Sequence, residues 1–307
     1  MNLSVELAPE NKIGLKLANP VMTASGTFGY GTECVDLCDI QRLGAIVCKA
    51  TTLKPREGNP QPRLAEVESG LLNAIGLQNI GVERVIKEKA PIWAGWKVPV
   101  IVNIAAETFT DYAEIASKLN RVAGVSALEL NISCPNVSAG CMEFGAEPKQ
   151  AAKVTSIVRA ATTLPLLVKL TPNTADIVAV AQAVVSAGAD AVSLINTLKG
   201  MSVDIYKRRP MLGNITGGLS GPVIKPVALA MVYKVAGAVK VPVIGCGGIS
   251  TAEDALEFIM AGASAIQVGT ACLVNPKAPL EILEGIEKFM TDEGITGIKE
   301  LVGIARR

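Results

Sequence analysis

Short apolar segments rich in β-branched residues recur along the chain, and helical patterns separate them. Eight such segments can be distinguished, at residues 20–25, 45–50, 98–105, 127–133, 164–171, 191–197, 241–248 and 265–270. They are continuously apolar and do not alternate with polar residues, which is typical of strands buried on both faces of a parallel sheet. The pattern therefore predicts eight parallel strands.

Helical patterns lie between these segments, for example at residues 110–124, 148–162, 174–188 and 251–262. Several begin with Thr, Asp or Pro and end in Gly, the residues that favour helix starts and helix ends. Eight strands alternating with helices describe an α/β fold of the (β/α)8, or TIM, barrel type. The alternative is an open doubly wound sheet, which the lack of a GxGxxG sequence after the first strand disfavours.

The N-terminus and two long connections extend this plan. The segments SVEL and IGLKL flank the turn-rich APEN, which predicts a β-hairpin closing the bottom of the barrel. The connections at residues 51–79 and 198–221 are long for a compact barrel, and such loops commonly carry function or are disordered. No linker or low-complexity segment interrupts the pattern, so we expect residues 1–307 to form one domain.

Composition narrows the classes of function. Half of the residues are hydrophobic and 19% are charged, which argues against disorder. The 29 Lys and Arg nearly balance the 28 Asp and Glu, so charge favours neither nucleic acid nor an anionic membrane as partner. The first residues show no signal-peptide pattern. The odd number of cysteines, seven, lacks the close pairs of a disulfide framework, so we expect a cytoplasmic protein with reduced thiols.

Metal binding has little support in the sequence. The chain contains no histidine and no Cys-x-x-Cys pair. Cys34 and Cys38 are spaced i, i+4 on what we expect to be a helix, but two thiols alone do not make a zinc or iron–sulfur site. We interpret them as core or surface thiols.

Nearly every predicted strand ends in a hydrogen-bonding side chain or a glycine. In barrels of this type the functional residues lie at the carboxyl ends of the strands. A single strand-end Asn or Ser often only caps its own loop, but eight such ends together predict a polar ring around a planar ligand. These ends are Ser25, Lys49, Asn103, Asn131 with Cys134, Lys169, Asn196 with Thr197, Gly247 with Gly248, and Gly269 with Thr270.

The glycines after the seventh and eighth strands predict a phosphate site. Backbone amides there can approach a phosphate at a helix N-terminus, and Thr270 can add a hydroxyl. The segment GGLSG at residues 217–221 can supply further amides. The alternative is that these glycines serve only their turns, but barrel enzymes commonly bind phosphate at this position.

Two lysines, Lys49 and Lys169, emerge from apolar segments. A charge there is unfavourable unless it meets an anion. A lysine beside the pyrimidine edge of a flavin would stabilise the negative charge of the reduced ring. The alternative is a lysine whose flexible stem reaches bulk water at the barrel mouth.

A cysteine is the candidate proton acceptor, because the chain has no histidine to act as a base. Cys134, in LNISCPN, follows a strand end in a loop, whereas Cys48 and Cys246 lie inside apolar segments. A thiolate accepts a proton when its pKa is near the working pH. The alternative is an inert buried thiol. The following loop carries Gly140 and Gly145 as possible hinges for closure over substrate.

Several motifs together resemble the class 1 dihydroorotate dehydrogenases, over essentially the full chain. They are NPVMTASGTFGYG (19–31), KATTLKPREGNPQPR (49–63), NAIGLQN (73–79), LNISCPN (130–136), VKLTPN (168–173), INT (195–197), GGLSGPVIKPVAL (217–229) and GCGGI (245–249). The resemblance implies a barrel that binds FMN and oxidises (S)-dihydroorotate to orotate in pyrimidine synthesis.

The resemblance also implies roles for individual positions. Cys134 matches the family's catalytic base, which would remove the proton from C5 while C6 delivers hydride to N5 of FMN. The positions expected to contact FMN are Ser25, Lys49, Ala50, Asn103, Asn131, Lys169, Ile195, Gly221, Gly247, Gly248, Gly269 and Thr270. The positions expected to contact substrate are Lys49, Asn73, Ala74, Ile75, Gly76, Leu77, Asn131, Asn196 and Thr197.

The electron acceptor follows from finer features. GTFGYG and NAIGLQN look closer to class 1B, in which a partner subunit carries FAD and a [2Fe–2S] cluster and passes electrons to NAD+. This chain lacks the motifs for either centre, so we expect both on the partner, with a homodimer of this chain inside a heterotetramer. One departure is Cys141, where relatives usually have glycine.

Three alternatives remain at this point. One is a class 1A homodimer that reduces fumarate. Another is an unrelated phosphate-binding barrel lyase or isomerase, which would explain the glycines but not the two strand-end lysines together with the asparagines. The third is a flavin-binding or scaffolding barrel without enzymatic activity.

Overall fold

The predicted strands form a parallel barrel in the computed structural model of the chain, which describes residues 1–132 and 144–306. Further short strands surround it. In the described residues the strands are β1 Val5–Glu6, β2 Lys16–Leu17, β3 Val21–Thr23, β4 Ile46–Thr51, β5 Leu64–Val67, β6 Gly70–Asn73, β7 Val100–Ile104, β8 Ala127–Asn131, β9 Leu166–Lys169, β10 Ala191–Leu194, β11 Leu198–Gly200, β12 Val203–Asp204, β13 Arg209–Pro210, β14 Gly217–Ser220, β15 Val243–Cys246 and β16 Ala265–Val268.

Eight of these strands make the barrel, in the order β3-β16-β15-β10-β9-β8-β7-β4. All pairs in this sheet are parallel. The two edge strands meet at a parallel bridge between Met22 and Ala45, which brings the sheet to closure. Seven barrel strands lie within their predicted apolar segments, and β4 extends one residue beyond its segment. The (β/α)8 prediction is therefore confirmed.

Helices follow most barrel strands and cover the outside of the sheet. The predicted start at Thr251 is confirmed, whereas the helices predicted from residues 110 and 174 are capped by Thr108 and Asp176. Each of these three side chains accepts hydrogen bonds from the first turn of its helix. The α-helices of the described residues are α1 Val82–Arg84, α2 Ala90–Trp93, α3 Phe109–Leu119, α4 Pro148–Ala161, α5 Ile177–Ser186, α6 Lys225–Ala236, α7 Ala252–Ala261, α8 Thr270–Val274 and α9 Ala278–Asp292.

Shorter helical turns complete these elements. A π-helical turn joins α1 to α2. The turn and the four 3-10 segments are Val85–Lys89, Ile40–Arg42, Pro222–Ile224, Ile298–Glu300 and Ile304–Arg306. None of the helices in the part of the chain that the structure describes is both long enough and apolar enough to cross a membrane.

The first strand is not followed by an α-helix, so the expectation of a helix carrying Cys34 and Cys38 is wrong. Residues 24–39 form a series of turns. Gly26, Gly29 and Gly31 have φ angles of +92°, +58° and +82°, a left-handed backbone that interrupts any helix. Both cysteines are half-buried free thiols.

The predicted N-terminal hairpin is confirmed at the bottom of the barrel. Strands β1 and β2 pair antiparallel. In the loop between them, Asn11 Nδ2 donates to Asp190 Oδ2 at 3.1 Å. Asp190 directly precedes β10, so the hairpin lies at the amino ends of the barrel strands, opposite the predicted site.

The two long connections form an ordered sheet at the other end of the barrel. Strands from residues 51–79 and from 198–221 make a four-stranded antiparallel sheet in the order β11-β14-β6-β5, which we call the cap sheet. Gly218 of β14 stands opposite Asn73 of β6. Because β11 begins four residues after β10, the cap sheet lies over the carboxyl ends of the strands.

Candidate active site

A cavity of about 270 Å³ opens between the carboxyl ends of the barrel strands and the cap sheet. A single water needs only ~10–15 Å³ by the same measure, so the cavity is large enough for an organic ligand. The structure brings most of the predicted site residues together on its wall. These are Ser25, Lys49, Ala50, Asn73, Ile75, Gly76, Leu77, Asn131, Lys169, Ile195, Asn196, Thr197, Gly221, Gly247, Gly248, Gly269 and Thr270.

Two predicted residues, Asn103 and Ala74, do not line this wall. Ala74 is fully buried in a small apolar cluster of the cap sheet. Neighbouring residues of an extended chain point to opposite sides, so Asn73 faces the cavity and Ala74 faces away. Asn103 lies inside the barrel, where its Nδ2 donates to Oε1 of Glu129 at 2.7 Å. Its Oδ1 is buried and has no hydrogen-bond partner among the described residues.

The predicted base and its neighbour, Cys134 and Cys141, lie outside the described residues. The residues on either side of that gap are described. Asn131 lines the cavity, and the N–H of Gly145 donates to the carbonyl of Ile132 at 2.9 Å. The described residues on both sides of the gap therefore lie at the end of β8, beside the cavity.

Glycines from separate segments meet at one end of the cavity. Gly247 and Gly248 follow β15 with φ angles of +123° and +77°. A Cβ on Gly248 would lie 2.8 Å from the backbone nitrogen of Lys225, at the start of α6. A Cβ on Gly221, with φ +94°, would lie 3.7 Å from Thr270. Glycine backbone near helix N-termini leaves its N–H groups accessible, because no side chain covers them, and such N–H groups bind phosphate.

Lys169, the last residue of β9, is a buried cation in the cavity wall. Its Nζ donates to Oε1 of Gln267 at 3.1 Å and lies 3.9 Å from the sulfur of Cys246. Desolvation opposes its charge, but Cys246 and the Glu129 carboxylate favour it, and together they raise the pKa of Lys169 above its ordinary value. The alternative of a lysine that reaches bulk water is therefore wrong for Lys169.

Lys49 differs from Lys169 in its electrostatic surroundings. It is half-buried near the end of β4, on the cavity wall. Burial lowers the pKa of Lys49, and the negative charge of Glu33 opposes this shift only in part. A lysine whose charge is under-compensated gains from a bound anion. Lys49 is thus a candidate partner for a ligand carboxylate.

Asparagines from three elements form a cluster on the same wall. Asn196 Nδ2 faces Asn131 Oδ1 at 3.4 Å. Asn73 Nδ2 donates to the carbonyl of Gly218 at 3.1 Å, across the cap sheet. The N–H of Thr197 donates to Oδ1 of Asn196 at 2.8 Å. Primary amides offer donors and acceptors together, which suits a planar ring with alternating carbonyl and N–H groups.

The loop that follows Asn73 is held in place by Asn79, the last residue of the NAIGLQN motif. The buried Asn79 side chain accepts from the N–H of Thr52 at 3.2 Å and donates to the carbonyl of Leu77 at 2.7 Å. Gly76 has φ +73°, and a Cβ there would lie 2.5 Å from the backbone nitrogen of Asn59. The motif therefore builds a fixed loop along the cavity.

Comparison with known proteins agrees with this architecture. The sequence profile of the family described as "Dihydroorotate dehydrogenase" matches residues 8–290. The chain belongs to the dihydroorotate dehydrogenase family. The resemblance drawn from the sequence motifs is thereby confirmed.

Similar relatives in this family carry the name "Dihydroorotate dehydrogenase B (NAD(+)), catalytic subunit". The one from Geotalea uraniireducens (strain Rf4) is 55% identical over 302 residues, which is 98% of this chain and 97% of the relative. The one from Trichlorobacter lovleyi is 56% identical over 301 residues, 98% and 97% of the two chains. The one from Desulforamulus reducens is 53% identical over 305 residues, 99% of each.

Sequence reasoning missed several polar residues at the site of this family member, among them Ser220, Cys246, Glu129 and Gln267. Ser220 and Cys246 line the cavity, and Ser220 Oγ accepts from Thr270 Oγ1 at 2.8 Å. Glu129 and Gln267 are fully buried inside the barrel. The polar residues inside the apolar segments ALELN and AIQV could have revealed Glu129 and Gln267. Glu and Gln are rarely fully buried unless they have hydrogen-bond partners, so their presence in a buried strand indicates such partners.

Proposed function

We propose that this chain is the FMN-binding catalytic subunit of an enzyme that oxidises (S)-dihydroorotate to orotate in pyrimidine synthesis, with NAD+ as final electron acceptor. The observation that carries the proposal is that three features share one cavity. They are the glycine cradle formed by Gly221, Gly247 and Gly248, the buried cation of Lys169, and the cluster of Asn73, Asn131 and Asn196. Each suits a different part of the two ligands, and the chain belongs to the family with that activity.

The residues present fit FMN on structural grounds. The Gly221, Gly247 and Gly248 backbones converge where a phosphate needs N–H donors, and added Cβ atoms would crowd that end. Lys169 supplies a buried positive charge in the wall. Asn103, which the family resemblance implies as an FMN contact, does not line the cavity and bonds Glu129 inside the barrel. Bound FMN supplies the hydride acceptor for the reaction.

Dihydroorotate has a carboxylate and a ring of alternating amide groups, and the remaining wall complements both. Lys49, with its lowered pKa, gains an anionic partner when the substrate carboxylate binds. Asn73, Asn131 and Asn196 present amide donors and acceptors to the ring. The fixed loop from Asn73 to Leu77 and the Thr197 hydroxyl orient the substrate, which turns binding energy into alignment for hydride transfer.

The general base in this proposal is Cys134, which rests on the resemblance of LNISCPN to the family motif. Its thiolate would accept the proton from C5 of the substrate as the hydride leaves C6. Replacing it tests the role. Cys134→Ala should keep the flavin but slow its reduction by dihydroorotate by roughly 10²- to 10⁴-fold. Cys134→Ser, which keeps a hydroxyl, is the matched variant and should be less impaired. Near-normal reduction of Cys134→Ala in stopped flow would refute the base assignment.

The electron path is part of the same proposal. We infer that two copies of this chain assemble with a partner subunit that carries FAD and a [2Fe–2S] cluster and reduces NAD+. The purified chain alone should be reduced by dihydroorotate but turn over slowly with NAD+, whereas the co-expressed complex should reduce NAD+ steadily. Steady turnover of the chain alone with fumarate would favour the class 1A alternative.

A further inference from the structure

Two charged side chains join the segments that carry the glycine cradle, from behind the cavity wall. Lys225 is the first residue of α6, and Asp254 lies in the first turn of α7. Lys225 Nζ donates to Oδ1 of Asp254 at 2.6 Å. The cavity is lined by neighbours of both residues, Ile224 and Ser250, and not by the pair itself. The ion pair therefore lies behind the cradle.

The carboxylate of Asp254 holds the α7 side of the cradle. Its Oδ2 accepts from the N–H of Ser250 at 2.8 Å and from the N–H of Thr251 at 3.0 Å. Ser250 lines the cavity and follows Gly248 by two residues. One oxygen of Asp254 thus fixes the turn that carries Gly248, while the other oxygen binds Lys225.

The backbone of Lys225 holds the α6 side. A Cβ on Gly248 would lie 2.8 Å from the backbone nitrogen of Lys225 and 2.7 Å from its Cβ. A Cβ on Gly247 would lie 2.9 Å from the Cβ of Ala228, about one turn further along α6. Gly221 precedes Lys225 by four residues and is joined to it by a 3-10 turn. The position of α6 therefore sets where the cradle glycines lie relative to one another.

The pair is ionised at neutral pH. The hydrogen bond to Asp254 raises the pKa of Lys225 above its ordinary value. Burial opposes the charge of Asp254, but the hydrogen bonds from Lys225 and from two backbone N–H groups outweigh burial and lower the pKa of Asp254. Glu257 is a second partner of Lys225, at 3.2 Å, with a side chain 47% exposed against 14% for Asp254. Hydrogen bonds between charged groups are stronger than neutral ones, so the less exposed pair suits a clamp between two helices.

We propose that Lys225 and Asp254 are positioning residues: their ion pair clamps the start of α6 to the start of α7 and thereby fixes the glycine cradle for the phosphate of the cofactor. The pair acts through the backbone of Gly248 and Ser250 and does not itself bind the phosphate. The inference deepens the proposed function, and it rests on that function only in taking the ligand to be FMN.

Asp254→Asn is the variant that decides between a clamp and a simple charge effect. An Asn oxygen in the place of Oδ2 can still accept from Ser250 and Thr251, whereas the NH₂ group in the place of Oδ1 faces the ammonium of Lys225. The variant also removes a negative charge near the phosphate site, which by electrostatics alone would strengthen phosphate binding. Loss of the clamp changes the affinity in the opposite direction.

The measurement compares the affinities of FMN and riboflavin, which differ only by the phosphate, for the flavin-free full chain in fluorescence titrations. Asp254→Asn and Lys225→Met should each weaken FMN binding at least about tenfold, the effect of losing one hydrogen bond between charged groups. Riboflavin affinity should change by less than about twofold, because the rest of the cavity is untouched. A retained riboflavin affinity also shows that the variant is folded.

Three further variants isolate the pair. Glu257→Gln is the matched control, since it removes the more exposed partner of Lys225 and leaves Asp254 in place; its FMN affinity should stay within about twofold of wild type. Lys225→Arg keeps a cation that can bind the carboxylate and should recover most of the affinity lost in Lys225→Met. The double variant of Lys225→Met and Asp254→Asn should bind FMN no more weakly than the weaker single variant, because the two side chains act as one unit.

The outcomes separate this inference from the proposed function. An unchanged or increased FMN affinity of Asp254→Asn overturns the clamp, and so does an equal loss of FMN and riboflavin binding, which a merely structural role would give. If Asp254→Asn cannot be purified, the clamp is overturned when Lys225→Met binds FMN as wild type does or when Lys225→Arg binds it no better than Lys225→Met. Failure of dihydroorotate to reduce the flavin of the wild type overturns the proposed reaction but leaves these affinities readable.

Discussion

The contact between Gly218 and Thr197 yields the sharpest prediction of the structure. A Cβ added at Gly218 would lie 2.1 Å from Thr197 Oγ1 and 2.6 Å from Thr197 Cβ. Rotation about χ1 of Thr197 moves the hydroxyl but not its Cβ. Gly218→Ala therefore forces β14 away from Thr197, which directly precedes β11.

The displacement is large on the scale of an active site. Ordinary contact begins at 3.4 Å, so the two Cβ atoms must separate by roughly 1 Å, a misplacement that can lower catalysis about 10²-fold. The shift acts on two predicted substrate residues at once, because the carbonyl of Gly218 also accepts from Asn73 at 3.1 Å. In free energy, a 10²-fold loss corresponds to about 2.7 kcal/mol.

The assay is the steady-state oxidation of dihydroorotate with an artificial electron acceptor. Gly218→Ala should lower kcat/KM about 10²-fold while the flavin content stays unchanged, since the glycine cradle is not touched. Gly200→Ala in the same sheet is the matched control: its Cβ would meet the flexible end of Leu72 at 3.1 Å, which can move aside. A wild-type kcat/KM for Gly218→Ala, or equal losses in both variants, would refute the reasoning.

Three other predictions follow. Gly248→Ala, with φ +77° and a Cβ 2.8 Å from the Lys225 nitrogen, should weaken FMN binding at least about tenfold in fluorescence titrations; unchanged affinity would contradict the cradle. Burial lowers the pKa of Lys49, so the folded state binds fewer protons than the unfolded state as the pH rises. The free energy of unfolding of the wild type, measured in urea titrations, should therefore rise between pH 7 and pH 10 relative to that of Lys49→Met. A fall over this pH range would contradict the lowered pKa. Burial raises the pKa of Cys48 and Cys272 to about 12, so both should resist alkylation until unfolding in peptide mapping; rapid native labelling would contradict their burial.

The barrel and most of the site were predictable because both depend on local patterns. Continuous apolar segments such as VPVIVNIA and LPLLVKLT identify strands buried on both faces. Once the strands are assigned, the rule that function lies at their carboxyl ends selects residues such as Lys169 and Asn196 without any contact information. The structure then adds that these residues share one cavity.

The cap sheet was not predictable, because its pairing is not local. Gly218 pairs with Asn73 across 145 positions of sequence. The segments GLLN and GGLS are short and rich in glycine, so they lack the alternation that indicates a strand. Two long connections were therefore expected, and their joining into one sheet was not.

The orientation of strand-end side chains was the other limit. Asn103 occupies a strand-end position like Asn131, but its side chain bonds Glu129 inside the barrel and does not line the cavity. In the first βα unit, the glycines of GTFGYG replaced an expected helix by turns. Hydrophobic periodicity predicts where helices and strands lie. The direction of a side chain such as that of Asn103 depends on hydrogen bonds between distant strands, and the replacement of a helix by turns depends on single left-handed residues.

The most direct measurement is the anaerobic titration of the purified wild-type chain with dihydroorotate, followed by its visible flavin absorbance. We predict a yellow protein whose absorbance bleaches in proportion to added dihydroorotate, with one orotate formed per flavin. A colourless protein, or a flavin that excess dihydroorotate leaves oxidised, would contradict it.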